Sequence, residues 1–262
     1  MNHDYWQQQK TNESLFPDIE WSKPEQKSAR GKLLIVGGNK NGFMTVGKSF
    51  TIASEAGAGE VKVAMPDILK NNLPKEFSEG VFLPTNSGGG FAFDGKQELL
   101  NVCDWADGIL LIGDSGMNPQ TALLFEELLA QQGSDTWITI TRDAVDLVIE
   151  MGEVLVNLSN VHLVMTFAQI QKLFQKVFYP RPLLYSQQLV NVVESLHKFT
   201  TTYPVALTLL HQDNLIVAYD GKVVTQKFND QLKLIDGTLA TRSAVYLLWN
   251  KTKPLESIAS SL

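Results

Sequence analysis

Two short apolar runs that end in glycine constrain the fold of this chain most strongly. The runs are KLLIVGG (residues 32–38) and GILLIG (residues 108–113), and each has at least five consecutive positions without a charged or polar side chain. A run of this length bounded by glycine is typical of a buried strand followed by a turn. The sequence therefore predicts a sheet whose central strands are covered by other layers.

Further strands alternate with helices along the chain. We predict strands over residues 61–65, 81–83, 137–141 and 205–210, and helices over residues 45–56, 121–131, 161–178, 186–198 and 240–249. The run LIVAYDGKVV (residues 215–224) predicts two strands that turn at Asp220-Gly221. This order predicts an α/β fold with a doubly wound, mainly parallel sheet flanked by helices, and an antiparallel hairpin near one edge.

The first 30 residues differ from the rest of the chain. They are polar, and we expect Pro17 and Pro24 to break any helix, while Phe16 and Trp21 can pin the segment to a surface. We interpret residues 1–30 as an N-terminal arm, which can be exchanged between subunits. Residues 31–262 contain no long linker, so we predict that they form a single domain.

Composition excludes several classes of protein. Of the 262 residues, 44% are hydrophobic and 19% are charged, which suits a soluble globular protein with a sizeable core. A net charge of −6 argues against nucleic-acid binding, and no apolar run approaches the length of a membrane span. The single cysteine, Cys103, and only four histidines argue against a disulfide or a metal site. Because the N-terminus lacks an apolar signal segment, we expect a cytoplasmic protein.

One segment matches the P-loop pattern G-x-x-x-x-G-K-[ST]. It is GFMTVGKS (residues 42–49), but in a P-loop the first glycine follows a strand directly and the Lys-Ser pair opens a helix. Here residues 37–41 separate the predicted strand from Gly42. We therefore predict a coincidental match, with Gly42 in a loop and Lys48 and Ser49 on an exposed helical face. A P-loop NTPase is the least favoured alternative.

Two segments of the first half resemble a known family. LLIVGGN (residues 33–39) and SEAGAGEVKVAMP (residues 54–66) are similar to the opening of the ADP-dependent NAD(P)H-hydrate dehydratases, ribokinase-like proteins of nicotinamide-nucleotide repair. In that family a strand runs into Gly-Gly-Ser/Asn, a helix follows, and Ala-Gly-Ala-Gly leads into a Val-x-Val-Ala-x-Pro strand. The resemblance implies a ribokinase-like fold.

Two later segments extend the resemblance to about residues 30–250. Residues 106–121 are similar to the family's strand-turn segment and keep Gly113 and Gly116, while Asp114-Ser115 replace the usual Pro-Gly. TRDAVDLV (residues 141–148) resembles the family's Asp-Ala-Asp-Ala-Leu-Asn and keeps Asp143. The match is more specific in the first half of the chain than in the second.

The chain departs from the family where the family places its chemistry. The family's catalytic signature is Gly-Ser/Thr-Gly-Asp at a helix start, whose amides bind phosphate and whose aspartate acts as acid/base. Here Gly237 and Thr238 remain, but Leu239 replaces the second glycine and Ala240 replaces the aspartate. Alanine cannot carry a proton, and the Cβ of leucine resists the close approach that glycine allows. Asp236 and Asp143 are possible substitutes for the aspartate.

Other family positions have also changed. Thr166 and Gln169 stand where the family has Pro-His-x-x-Glu, and Thr208-Leu209 stand at its Lys-Gly. Asp236-Gly237 also reads as an ordinary turn and Thr238 as an ordinary helix cap. The second half therefore favours a protein with altered or lost chemistry.

The resemblance implies a site at the carboxyl ends of the parallel strands. The predicted ligand-binding residues are Gly38, Asn39, Gly113, Asp114, Gly116, Gly237 and Thr238. The first hypothesis is a nucleotide or nicotinamide dinucleotide binder with weak or no catalysis. The alternative is an active dehydratase that uses ADP or ATP, with Mg²⁺ in the case of ATP. The family also implies a homo-oligomer.

Overall fold

The computed structural model describes residues 4–10, 13–72 and 80–262. Within these ranges the strands are β1 Trp6–Gln9, β2 Lys32–Gly37, β3 Glu60–Pro66, β4 Val81–Leu83, β5 Gly108–Gly113, β6 Trp137–Thr141, β7 Val161–Met165, β8 Ala206–His211, β9 Asn214–Tyr219 and β10 Lys222–Lys227. The α-helices are α1 Pro17–Trp21, α2 Met44–Ala56, α3 Lys96–Cys103, α4 Pro119–Gln131, α5 Asp143–Val148, α6 Gly152–Leu155, α7 Phe167–Lys176, α8 Leu189–Thr202, α9 Gln231–Ile235, α10 Thr238–Trp249 and α11 Pro254–Ser260.

The strands form one 10-stranded sheet in the order β1-β10-β9-β8-β7-β6-β5-β2-β3-β4. Strands β2 to β8 pair with parallel neighbours, whereas β9 runs antiparallel to both β8 and β10. The predicted doubly wound, mainly parallel sheet with an antiparallel hairpin near one edge is thus confirmed. The chain winds from β2 towards β4 on one side and from β5 towards β8 on the other. The boundary between β2 and β5 is therefore the switch point, where sheets of this kind form a crevice.

Both faces of the central strands are buried, because their apolar runs supply side chains to each face. Leu34 and Val36 of β2 belong to the cluster on one face, whereas Leu33 and Ile35 belong to the cluster on the other. Strand β5 divides in the same way and is buried along its whole length. Continuous apolar sequence is what a strand covered by helices on both sides requires.

One predicted helix is partly wrong. Residues 161–165 form strand β7, and the helix begins only at Phe167. A short apolar run such as VHLVM cannot be separated by periodicity from the first turn of a buried helix. The boundary is set by a capping box, in which Thr166 caps the helix and the side chain of Gln169 accepts a hydrogen bond from the Thr166 amide.

The N-terminal segment is more regular than expected. Residues of β1 pair in parallel with β10, and the indole of Trp6 donates a hydrogen bond to Thr225 at 2.9 Å. Pro17 begins helix α1 instead of breaking it, because proline in the first helical turn costs no intrahelical hydrogen bond. The division into an arm and a domain remains a prediction. In the described ranges no helix combines the length and the apolar character that a bilayer crossing requires.

Candidate ligand-binding site

The ends of β2 and β5 meet at the switch point. The register between the two strands shifts after Val36, where Gly37 comes opposite Gly113, and the amide of Gly38 donates a hydrogen bond to the carbonyl of Gly113 at 2.9 Å. Gly113 has φ +86, and a Cβ at this position would overlap Oδ1 of Asp143. Glycine is therefore required here by the fold, with or without a ligand.

Asn39 lies in the loop that follows β2. Its backbone exchanges hydrogen bonds with Gly42, and its Oδ1 accepts a hydrogen bond from the amide of Asn41 at 2.7 Å. The Nδ2 atom of Asn39 lies 3.4 Å from the position that a Cβ of Gly116 would occupy. Asn39 and Gly116 are 77 positions apart in the chain, and the fold places them side by side.

The amides that follow β5 hold an anion that the chain itself provides. Asp143 accepts hydrogen bonds from the backbone amides of Asp114 at 2.7 Å, Ser115 at 3.0 Å and Gly116 at 3.2 Å. Three successive amides that converge in this way form an anion-binding nest. Because the Asp143 carboxylate fills the nest, its role in this structure is to hold the turn.

Arg142 joins two elements of the site, although the sequence did not single it out. Its Nη2 forms an ion pair with Asp114, and its Nη1 donates a hydrogen bond to the carbonyl of Ile235 at 2.6 Å. The two charged side chains are 24% and 20% exposed. Arg142 and Asp114 also have positive φ values of 58° and 57°, which residues other than glycine rarely adopt.

A cavity of about 350 Å³ opens beside this ion pair at the carboxyl ends of β5, β6 and β7. We call it the Arg142 cavity. Its walls combine polar residues with the apolar side chains of Val164, Met165, Leu234 and Ile235. Thr166 and Gln169 also line the cavity, and the Gln169 amide donates a hydrogen bond to the carbonyl of Arg142 at 2.8 Å. The two residues that stand at the Pro-His-x-x-Glu segment of the dehydratase family therefore line the cavity, and both have neutral side chains.

A second opening of about 490 Å³ is lined by Asn39, Lys40, Asn41, Gly42, Phe43, Met44 and Asp114. We call it the Asn39 groove. Asp114 lines both openings, so they adjoin across the switch point. Among the residues that the structure describes, no group of three or more His, Cys, Asp or Glu side chains is placed to hold a metal ion.

The start of helix α10 forms a third part of this edge. Gly237 has φ +80, and a Cβ there would lie 2.5 Å from Cδ1 of Ile112. Leu239 is 2% exposed and Ala240 is fully buried in the core beneath the helix. The two residues that replace the family's Gly-Asp pair therefore pack as apolar core and present no polar side chain to a ligand.

Asp236, which precedes this turn, already has two partners. It forms an ion pair with Lys48 and accepts a hydrogen bond from the amide of Thr238 at 2.9 Å. Partial burial alone would raise the pKa of Asp236, but the hydrogen bonds from Lys48 and Thr238 outweigh it and lower the pKa below its ordinary value. Asp236 is therefore a stable carboxylate near neutral pH.

The P-loop pattern does not have P-loop geometry. Helix α2 begins at Met44, so Lys48 and Ser49 lie in its second turn and do not open it. Lys48 is exposed, as expected. The expectation for Ser49 is wrong, since it is buried and its hydroxyl lies 3.0 Å from that of Thr241 on helix α10. The contact with α10 explains this burial.

Thr208 and Leu209 do not contribute to either opening. They lie inside β8 and are fully buried. The Thr208 hydroxyl is 2.8 Å from Nε2 of His162, whose pKa burial lowers to about 3. His162 is consequently neutral, and this pair belongs to the core of the sheet.

The structure is similar to several solved structures. No protein-family model and no curated protein matches the sequence. A ribokinase-like superfamily protein from Enterococcus faecalis V583 aligns with a TM-score of 0.74 and 20% identity, over 100% of this chain and 86% of the other. A protein of Streptococcus mutans described as hypothetical aligns with a TM-score of 0.66 and 16% identity, over 93% and 84% of the two chains.

A third similar structure is an ADP/ATP-dependent NAD(P)H-hydrate dehydratase from Bacillus subtilis, co-crystallised with ATP/Mg²⁺. It aligns with a TM-score of 0.61 and 11% identity, over 96% of this chain and 86% of the other. At these identities the similarity establishes the fold and does not assign an activity. The chain has a ribokinase-like fold.

Proposed function

We propose that this protein binds a nucleotide or a nicotinamide dinucleotide at the switch-point crevice and has weak or no NAD(P)H-hydrate dehydratase activity. The proposal depends most on the residues at the start of helix α10. This helix start keeps the Gly237-Thr238 turn at the edge of the crevice but buries Leu239 and Ala240 where the related enzymes have glycine and aspartate.

Three features support ligand binding. The predicted residues Gly38, Asn39, Gly113, Asp114 and Gly116 follow β2 and β5 at their carboxyl ends, and two of them, Asn39 and Asp114, line the two adjoining openings. The volumes of these openings fall within the range of about 300–1,000 Å³ that is usual for small-molecule sites. A protein of the same fold was co-crystallised with ATP/Mg²⁺. ADP or ATP, the latter with Mg²⁺, is accordingly the first candidate ligand.

The environments of the two possible substitutes support weak catalysis. A general acid or base works best when its pKa is close to the working pH and its oxygens can reach the substrate. Asp143 already accepts three backbone hydrogen bonds, and Asp236 pairs with Lys48 and Thr238. Neither carboxylate is free to take over the role of the missing aspartate without giving up these contacts. A homo-oligomeric assembly, which the family resemblance implies, remains part of the proposal.

Calorimetric titration of the full chain with ADP, ATP–Mg²⁺, NAD⁺ and NADH tests the binding part of the proposal. We expect saturable binding of at least one of the four, weakened by Asn39→Ala at the edge of the Asn39 groove. Asn101→Ala on helix α3 is a matched control, since it removes the same amide side chain elsewhere. The proposed site is wrong if none of the four ligands binds, or if Asn39→Ala and Asn101→Ala change the affinity by the same factor.

A further inference from the structure

The Arg142 cavity has one source of positive charge. Among its described lining residues, Arg142 is the only cationic side chain, and four of the others are the apolar residues Val164, Met165, Leu234 and Ile235. A charge in such an environment interacts more strongly than the same charge in water. The carboxylates of Asp114 and Asp143 also line the cavity, but Asp143 is bound by three backbone amides, so Asp114 is the group that neutralises Arg142. A negative group that enters the cavity is attracted to the guanidinium in competition with Asp114.

The guanidinium has donor capacity that the protein leaves unused. Arginine carries five N–H donors, and here Nη1 contacts the carbonyl of Ile235 while Nη2 contacts Asp114. The Nε atom is buried and has no hydrogen-bond partner among the described residues. A buried donor without a partner is unfavourable. A movement of Arg142 that brings this N–H to an acceptor is therefore favoured.

The amide nest does not compete for the same ligand, because the Asp143 carboxylate already occupies it. The group that does compete is the carboxylate of Asp114, which is paired with Arg142 at the boundary of the two openings. Asp114 is held there with a positive φ of 57°, in a region that is costly for a residue other than glycine. The Asp114 contact is therefore the one that an entering anion has to displace.

We propose that the Arg142 cavity binds an organic anion, an apolar group of ring size that carries a phosphate or a carboxylate, and that this anion displaces Asp114 from Arg142. The apolar group lies against Val164, Met165, Leu234 and Ile235, and the anion takes the fork of the guanidinium. Asp114 acts as an internal competitor that lowers the affinity. The proposal rests on the proposed function, since it names the ligand group that this site recognises.

The test uses small probes, so that its outcome is independent of nucleotide binding. Phenyl phosphate and benzoate supply the two kinds of anion on the same ring, and phenol supplies the ring without a full charge. Each is titrated into the protein with ¹⁵N-labelled arginine, and the Nε–Hε resonance of Arg142 is followed by NMR. We expect at least one of the two anions to shift this resonance saturably, whereas phenol does not.

Variants separate the two charged partners. We expect Asp114→Asn to bind the effective probe about tenfold more tightly than the parent, because the competing charge is removed. Asp220→Asn is the matched control, because it removes one negative charge at the exposed β9–β10 turn, at the opposite end of the sheet, and we expect it to leave the affinity unchanged. The two Arg142 variants lack the Arg142 resonance, so their binding of the effective probe is measured by calorimetric titration, with the parent protein as the reference. We expect Arg142→Leu to abolish saturable binding. Arg142→Lys keeps the charge without the fork and weakens binding about tenfold, which covers the case in which the leucine variant is unstable.

The proposal is overturned if neither anion shifts the Arg142 resonance, if Asp114→Asn does not increase affinity beyond Asp220→Asn, or if Arg142→Leu folds and binds as the parent does. A positive result with these probes, combined with no binding of nucleotides or dinucleotides, would leave the anion site standing and remove the proposed function. The opposite pattern, nucleotide binding together with no effect of either anion on the Arg142 resonance, would retain the proposed function and overturn the anion site.

Discussion

Two backbone turns at the same edge of the sheet, one after β5 and one before α10, differ in the groups that they hold. The turn after β5 keeps its glycine, its converging amides and an acidic partner, because the Asp143 carboxylate occupies the amides of residues 114–116. The turn before α10 also has a glycine at positive φ, Gly237, but Leu239 and Ala240 in the first turn of the helix belong to the core. The first turn is needed by the fold itself, whereas the second is followed by apolar side chains where the NAD(P)H-hydrate dehydratases that the chain resembles have a glycine and an aspartate. A glycine that the fold requires therefore does not by itself indicate a catalytic site.

The largest expected effect is the loss of stability on placing a side chain in the first turn. Gly113→Ala forces a Cβ into Oδ1 of Asp143 at φ +86, and we expect the free energy of unfolding to fall by about 3–4 kcal/mol. Gly42→Ala is the matched control, since a Cβ at Gly42 meets nothing within 4 Å, and we expect a change within about 0.5 kcal/mol. Urea unfolding measures both. Equal effects of the two variants would show that the first turn is not tightly packed.

A second, smaller effect tests whether the first turn depends on its internal anion. Asp143→Ala leaves the amides of Asp114, Ser115 and Gly116 without their acceptor, and we expect a loss of about 2–3 kcal/mol. Asp143→Asn keeps one acceptor oxygen and should lose about half as much. Thermal and urea unfolding of the two variants give the comparison. If Asp143→Ala leaves the free energy of unfolding unchanged, the three amides do not need the carboxylate.

The second turn is expected to depend on pH through Asp236. Burial opposes ionisation of this group, but hydrogen bonds from Lys48 and Thr238 prevail and lower its pKa in the folded protein. A lowered folded-state pKa stabilises the protein above the unfolded-state value of about 3.9, and this contribution is lost as pH falls through the folded-state pKa. Asp236→Asn should therefore cost about 0.5–1 kcal/mol at pH 7, and this cost should shrink as the pH falls below about 3.9. Urea unfolding at pH 7 and pH 3 checks this, and a cost that is the same at both values would contradict it.

The smallest expected effect concerns Lys48. If ATP binds, Lys48→Ala should change its affinity by no more than about threefold, because Lys48 lies in the second turn of α2 and pairs with Asp236. A P-loop lysine contacts the terminal phosphates directly, so its loss would weaken binding much more. Calorimetric titration of ATP–Mg²⁺ into the parent protein and into Lys48→Ala measures the two affinities. A large loss on Lys48→Ala would revive the P-loop hypothesis.

The elements that could be predicted from the sequence are those whose pattern of apolar residues lies within the element itself. Strands β2 and β5 were predicted because a strand buried on both faces needs a continuous apolar run. Strand β1 was missed because Gln7, Gln8 and Gln9 carry no apolar pattern, and their pairing with β10 is a contact with residues more than 200 positions away in the chain. Strand β7 was predicted as helix for a different reason, because periodicity cannot assign a short apolar run to a strand or to a buried helix.

The candidate site was predictable in its position and not in its contacts. Glycines after β2 and β5 marked the switch point, since the crevice of a doubly wound sheet lies at the carboxyl ends of its strands. The Arg142–Asp114 ion pair joins residues 28 positions apart through side chains, and no spacing rule reveals it. The only available signal was a basic residue directly after the buried strand β6, which is weak because most such residues are exposed to solvent.

The measurement that tests the central claim most directly is the recovery of NADH from its hydrate, with ADP or ATP–Mg²⁺ present. We compare the parent protein, Ala240→Asp, and Leu239→Gly combined with Ala240→Asp, with the Bacillus subtilis dehydratase as the active reference. We expect parent turnover at least about a thousandfold below the reference, because Leu239 and Ala240 offer neither a phosphate-binding glycine nor an acid/base at the helix start. We also expect no recovery of activity by Ala240→Asp alone, since Leu239 still blocks close approach to the helix start, and a measurable gain only in the double variant. Robust turnover by the parent would contradict the account and establish an active dehydratase that uses Asp236 or Asp143 for proton transfer.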